Sequence, residues 1–174
     1  MFPRAHATAY VMMAYRIAFC KVHYPLAYYA AYFSIRANAF DADIIAGGKE
    51  MVKQAMDDLN AKDKLDAKES ELLIVLQLAW EMYIRGYRLE RVDLYKSEAE
   101  KFVMLEKSLL PPFTSLNGLG ASDAAALVEG RKGKPFSSIE NMKKRTGISR
   151  TTIEALKNHG CLNNMDESDQ LSLF

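Results

Sequence analysis

Apolar positions are distributed differently in successive stretches of this chain, and each distribution predicts its own kind of element. From Arg4 to His23 no helix breaker occurs and alanine and methionine are plentiful, which predicts a long helix that Pro25 ends. A second helix is predicted across "LAYYAAYFSIRA". Neither has a polar face, because Tyr10, Val11, Ala14, Tyr15, Ala18 and Phe19 join Met12, Met13 and Ile17 around nearly the whole circumference. A helix apolar all round is expected to be buried all round. The chain supplies too little material to surround both helices, so a larger body is expected around them. Residues 43–60 and 66–85 read instead as amphipathic helices, with "AGGKE" suggesting a break before the first. The second carries Leu72, Leu73, Val75, Leu76, Ala79, Met82 and Tyr83 on its apolar side, and Gly86 is placed to stop it. The helical period is lost in "YRLERVDLYKS" and "AEKFVMLEKSLL", which read as short strands or extended connections. Pro111 and Pro112 then punctuate the chain and predict a domain boundary.

Charge sharpens this division more than the net value of +1 does. Residues 1–40 hold Arg4, Arg16, Lys21 and Arg36 and no acid; residues 41–110 hold 11 bases and 15 acids; residues 111–162 hold 8 bases and 4 acids; and residues 163–174 hold three acids and no base. Two basic blocks therefore flank an acidic one, a pattern that suits polyanion partners as well as ordinary solvated faces. Cys20 and Cys161 have no neighbour at metal-ligand or redox spacing, which favours an intracellular protein without a disulfide framework. Arg16 interrupts the first apolar run and Pro25 cuts it, so neither a signal peptide nor a membrane span is expected there.

After the prolines comes "LNGLGASDAAALVEG". Gly118 and Gly120 permit a tight turn, Ser122 is a candidate cap for the helix that follows, and Ala124, Ala125 and Leu127 allow close packing. Backbone N–H groups at such a helix start bind a phosphate without reading a base. The arrangement repeats in "KKRTGISRTTIEALKNHG", where Lys143, Lys144, Arg145 and Arg150 surround the turn. Two turn-helix units in one basic block resemble tandem helix-hairpin-helix motifs. The second is less regular: Ser149 stands where the first has Gly120, and is free to cap its helix instead of leaving the site open. The intervening "GRKGKPFSS" adds Arg131, Lys132 and Lys134, which suit either phosphates or a solvated loop.

Taken together, "MFPRAHATAYVMMAYRIAFCKVHYPLAYYAAYF", "RGYRLERVDLYKS", "LLPPFTSLNGLG" and the final "QLSLF" resemble the C-terminal end of the Gram-positive PolC-type DNA polymerase III alpha subunit, a bacterial family C replicative polymerase. Related family C polymerases share a similar "H-x-A-x-Y" helix and "K-x-H-Y-P" turn. The resemblance implies a mostly α fold: residues 1–110 as the C-terminal part of a polymerase fingers domain with a short strand-containing connection, residues 111–162 as a small helical domain with tandem helix-hairpin-helix motifs, and residues 163–174 as a flexible tail that binds the sliding clamp. It implies a DNA-directed DNA polymerase with a 3′–5′ exonuclease in the parent protein, Mg2+ for the parent and no cofactor in this piece, and a cytoplasmic setting without membrane contact. Implied partners are primer-template duplex, the incoming dNTP, the clamp and the remaining polymerase domains upstream.

The same resemblance assigns residues. Arg4, His6, Tyr10 and Lys21 would face the nucleotide; His6 and Tyr10 share one helix face and read from the sequence alone as core residues equally well. Leu116, Gly118, Leu119, Gly120, Ser122, Lys132, Lys134, Gly147, Ser149, Arg150 and Thr151 would meet duplex DNA. Gln170, Leu171, Leu173 and Phe174 would enter the clamp. Polymerase chemistry needs clustered carboxylates that hold two metal ions; residues 1–40 contain no acid and the later acids fall on mixed charged faces, so no catalytic residue is assigned. A stand-alone helix-hairpin-helix DNA-binding adaptor is the alternative. A helix-hairpin-helix glycosylase fits poorly, because no suitable catalytic lysine and aspartate follow the first motif.

Overall fold

A computed structural model of the chain describes residues 3–36 and 39–169. It is mostly helical with one small sheet, as the sequence predicts. Helix α1 (Arg4–His23) turns at Tyr24 into α2 (Pro25–Ile35), and Pro25 occupies the first helical position, where its missing N–H costs nothing. The predicted helix over 43–60 is two helices, α3 (Ala42–Ala46) and α4 (Lys49–Asn60), separated at Gly47 and Gly48. Helix α5 (Ala67–Ile84) opens on a capping box in which Asp66 and Glu69 each accept from the other's backbone amide.

Helix α1 is uncovered among the described residues: none of its residues is buried, and Tyr10, Val11, Tyr15 and Val22 are each more than half exposed. Among the described residues, α2 and the end of α5 pack against it. A polar cluster makes that junction. The Lys21 ammonium donates to Glu81 at 2.5 Å, Arg85 donates to the Lys21 carbonyl at 2.9 Å and to the Tyr29 hydroxyl at 3.0 Å, and Tyr29 donates to Glu81 at 3.3 Å. Burial, more than any neighbouring charge, pushes the Tyr29 hydroxyl above its ordinary range.

Beyond α5 the chain forms β1 (Arg88–Leu89), β2 (Val103–Met104) and β3 (Ser108–Leu110), in the order β1-β3-β2. Strand β3 runs parallel to β1 and antiparallel to β2, with Leu89 opposite Leu109 and Val103 opposite Leu110. A single 3-10 turn (Phe113–Ser115) leads to α6 (Ala121–Gly130), α7 (Ile139–Thr146) and α8 (Arg150–His159).

Pro111 and Pro112 do not mark a gap in packing. One hydrophobic cluster runs from Tyr29 and Phe33 through Leu109 and Phe113 to Leu156 and Leu162. The segment 90–99 is its polar seam. The Val92 amide donates to Nε2 of buried His159 at 2.9 Å, which leaves the ring proton on Nδ1, 2.5 Å from Asp43. The Cys161 thiol donates to the Val92 carbonyl at 3.1 Å, and burial pushes that thiol up to about 12. Residues 163–169, expected to begin a flexible tail, lie against the start of α7: the amides of Ile139 and Glu140 donate to the carbonyls of Asp166 and Glu167, at 2.9 and 3.0 Å. Lys157 pairs with Glu167 as well. No helix among the described residues is long and apolar enough to cross a membrane.

Candidate nucleic-acid interface

The two hairpins meet back to back in the last third of the chain. In the first, Gly118 takes φ +85°, a left-handed conformation that an L side chain adopts only with strain. A Cβ built there would also lie 3.4 Å from the Thr151 methyl group of the second hairpin. Gly147 (φ +67°) has the corresponding place in the second turn, at the end of α7. Leu116 and Leu119 are buried in the core, where their side chains anchor the turn, so only their backbones can face a duplex.

The helix starts differ. Helix α6 has Gly120 as its N-cap with no side-chain cap, and its first intrahelical donor is Ala124, bonded to the Gly120 carbonyl at 3.0 Å. Ser122 lies inside the first turn and does not cap, contrary to the sequence expectation. The amides that precede Ala124 therefore form the open helix start at which an anion is favoured. In the second hairpin Ser149 is the cap, its hydroxyl accepting from the Thr152 amide at 3.1 Å. The Ser149 amide in turn donates to the Asp123 carboxylate at 3.1 Å, and the Thr152 hydroxyl donates to the same oxygen at 2.5 Å. Those two hydrogen bonds, Thr152 first, hold the Asp123 carboxyl below its usual range.

The basic residues divide in the same way. Arg131, expected at phosphates or in solvent, is turned inward. Its side chain is only 12% exposed, and it donates to the carbonyls of Leu94 and Ser97 at 3.0 and 2.6 Å beneath the Phe113 ring. Arg145 likewise donates to the carbonyls of Gly130, Lys134 and Pro135 and lies 4.6 Å above Phe136. Exposed Lys132 and Arg150 carry i,i+3 and i,i+4 pairs with Glu129 and Glu154, which duplex phosphate can outcompete because exposed pairs are weak. Lys134 stands exposed at the rim of an open groove with Lys132, Asn141 and Arg145.

At the other end of the chain, His6 and Tyr10 meet edge to face with ring centroids 4.6 Å apart on exposed α1. Arg4 is exposed two residues before His6. Lys21 does not join them; it is held by Glu81 and lies 5.4 Å over the Tyr28 ring. Gln170, Leu171, Leu173 and Phe174 lie outside the described residues. No group of three or more His, Cys, Asp and Glu among the described residues could hold a metal ion, so the Mg2+ implied for the parent has no ligand set that can be named here. Sequence reading missed Asp123, Asp43 and His159. Asp123 looked like an ordinary acid of a first helical turn, and His159 like the end of a basic helix.

Comparison with known proteins supplies an independent line. Residues 86–171 match a family described as the helix-hairpin-helix motif. Over 175 residues, covering 100% of this chain, it is 52% identical to the DNA polymerase III PolC-type of Caldanaerobacter subterraneus subsp. tengcongensis. It is 50% identical to the DNA polymerase III PolC-type of Clostridium perfringens over 175 residues and to that of Bacillus subtilis over 176, again across 100% of the chain. The chain spans 12% of the length of each of these relatives.

Proposed function

From the premise that this chain is homologous along its whole length to a segment of the PolC-type DNA polymerase III proteins, we propose that it serves a replicative polymerase by gripping product duplex through its first hairpin. The observation that carries the reading is the open start of α6 behind Gly118 and Gly120, within residues that match the helix-hairpin-helix motif. Amides there would hold one phosphate, while Lys132, Lys134, Arg150 and Thr151 are exposed groups able to reach the backbone. Such contacts read no base. The isolated chain should bind duplexes of different sequence alike, with log affinity falling steeply against log salt. Strong discrimination between sequences at constant salt, or binding indifferent to salt, would defeat the proposal.

Three further roles belong to the same proposal. Exposed α1 would present Arg4, His6 and Tyr10 to an incoming dNTP, with Lys21 held behind them by Glu81; its bare apolar surface fits a helix made to be covered by other polymerase domains. Residues Gln170, Leu171, Leu173 and Phe174 would bind the sliding clamp as a short peptide with apolar anchors. Polymerisation itself, with its Mg2+, would belong to carboxylates elsewhere in the parent. Primer extension by the pure chain tests this last point, and a clamp pull-down with Leu173 and Phe174 changed to alanine tests the peptide. Magnesium-dependent extension would overturn the first, and unchanged retention on the clamp the second.

A further inference from the structure

The second hairpin keeps its helix start for itself. Three observations converge. The Ser149 amide, which stands where the first hairpin has the Gly120 amide, already donates to Asp123. The Thr152 amide is taken by the Ser149 hydroxyl. The carboxylate that fills this place comes from α6, and Asp123 stands three residues after Gly120 just as Thr152 stands three after Ser149, so the pair joins matching positions of the two motifs across their shared contact. An anion thus already occupies the α8 start, and it is part of the protein.

We propose that, of the two helix starts, only that of α6 takes phosphate on its amides, and that Asp123 is the positioning residue that closes the Ser149 amide at the α8 start and makes the second hairpin a buttress. The proposal rests on the duplex-binding reading above. A phosphate approaching Ser149 would meet a carboxylate at hydrogen-bond distance from the same amide, and would have to displace it against like-charge repulsion. At α6 nothing of the kind stands in the way: Gly120 has no side chain, and Asp123 is turned to the other motif. The asymmetry gives the second hairpin a different task. It fixes the Gly118 turn through Thr151 and Asp123, so that the open amides are held in place before DNA arrives.

The test removes single amides from the full 174-residue chain. Proline suits the backbone at both positions, with φ −81° at Gly120 and −70° at Ser149. Duplex binding is read by fluorescence anisotropy of a labelled blunt duplex over a KCl series, and folding by thermal melting. Gly120→Pro should weaken binding about tenfold and lower the salt slope by about 0.9, as one lost phosphate contact does. Ser149→Pro should melt lower yet bind within about twofold of the parent chain. Asp123→Ala should bind tighter and raise the slope by about 0.9, and this gain should vanish in Asp123→Ala/Ser149→Pro, which separates a freed amide from simple loss of a negative charge. The proposal is overturned if Ser149→Pro loses as much affinity as Gly120→Pro at an unchanged melting temperature. It is overturned equally if the gain in Asp123→Ala is absent or survives in the double variant. Absence of salt-dependent binding by the parent chain would instead remove the duplex-binding reading itself.

Discussion

Replacing Arg131 with alanine should cost folding stability and leave duplex binding intact. The guanidinium is 12% exposed and donates twice, to Leu94 O at 3.0 Å and to Ser97 O at 2.6 Å, both on the segment between β1 and β2. A hydrogen bond with one charged partner contributes about 1.5 to 3 kcal/mol, and the two share one side chain, so their sum is less than additive. The Phe113 ring at 5.9 Å adds about 0.5 to 1 kcal/mol, whereas Glu98, half exposed and 3.7 Å away, adds little. The loss should therefore be about 3 to 4 kcal/mol, which lowers the melting temperature of a chain of this size by roughly 6 to 15 °C. Arg131→Lys should recover only part of it, since an ammonium lacks the fork that spans two carbonyls. Melting followed by circular dichroism gives the first number, and anisotropy with labelled duplex well below the transition gives the second. A variant that melts like the parent but loses affinity, together with about 0.9 of the salt slope, would show that Arg131 meets phosphate and that the inward geometry is wrong.

Other outcomes test neighbouring parts of the molecule. Gly118→Val should weaken duplex binding more than Lys134→Ala, because the first imposes strain on a φ of +85° in the turn and the second removes one screened charge; the reverse order in a salt series would refute this. The folded Asp123 carboxyl titrates below its unfolded value of 3.8, so its contribution is fully present above that value and is lost as pH falls through the lower folded one. The stability gap between the parent and Asp123→Asn should thus be flat near neutrality and close below about pH 4; a gap that persists in acid would mean the charge is not its source. Iodoacetamide near neutral pH should label exposed Cys20 and spare Cys161, whose thiol burial raises to about 12; equal labelling of native protein would contradict the buried contact with Val92.

Helix existence was legible wherever local chemistry sets it. Pro25 divides α1 from α2, the apolar positions from Leu72 to Tyr83 announce α5, and the two glycine turns announce α6 and α8. Matters decided by distant partners were not. Nothing in "GRKGKPFSS" distinguishes Arg131 from Lys132 and Lys134, because the carbonyls that draw Arg131 inward belong to residues 94 and 97. Asp123 reads as a favourable acid at a helix start, and only the fold brings Ser149 and Thr152 to it. The apolar circumference of α1 was read as a demand for cover, and among the described residues it stays exposed, tied at its end through Lys21 to Glu81, Arg85 and Tyr28.

The docking of residues 166 and 167 on α7 turns the final residues into a short leash. Residues 170–174 lie beyond the last described position, and five residues reach no more than about 17 Å even when fully extended. If those residues hold the clamp as proposed, the clamp cannot stand off from the hairpins at the end of a long tether. It must sit within one small protein's width of the surface that touches duplex, at an effective concentration in the millimolar range or above. DNA grip and ring grip would then behave as two arms of one bivalent contact, each making release through the other rarer, and lengthening the leash would uncouple them without altering either contact.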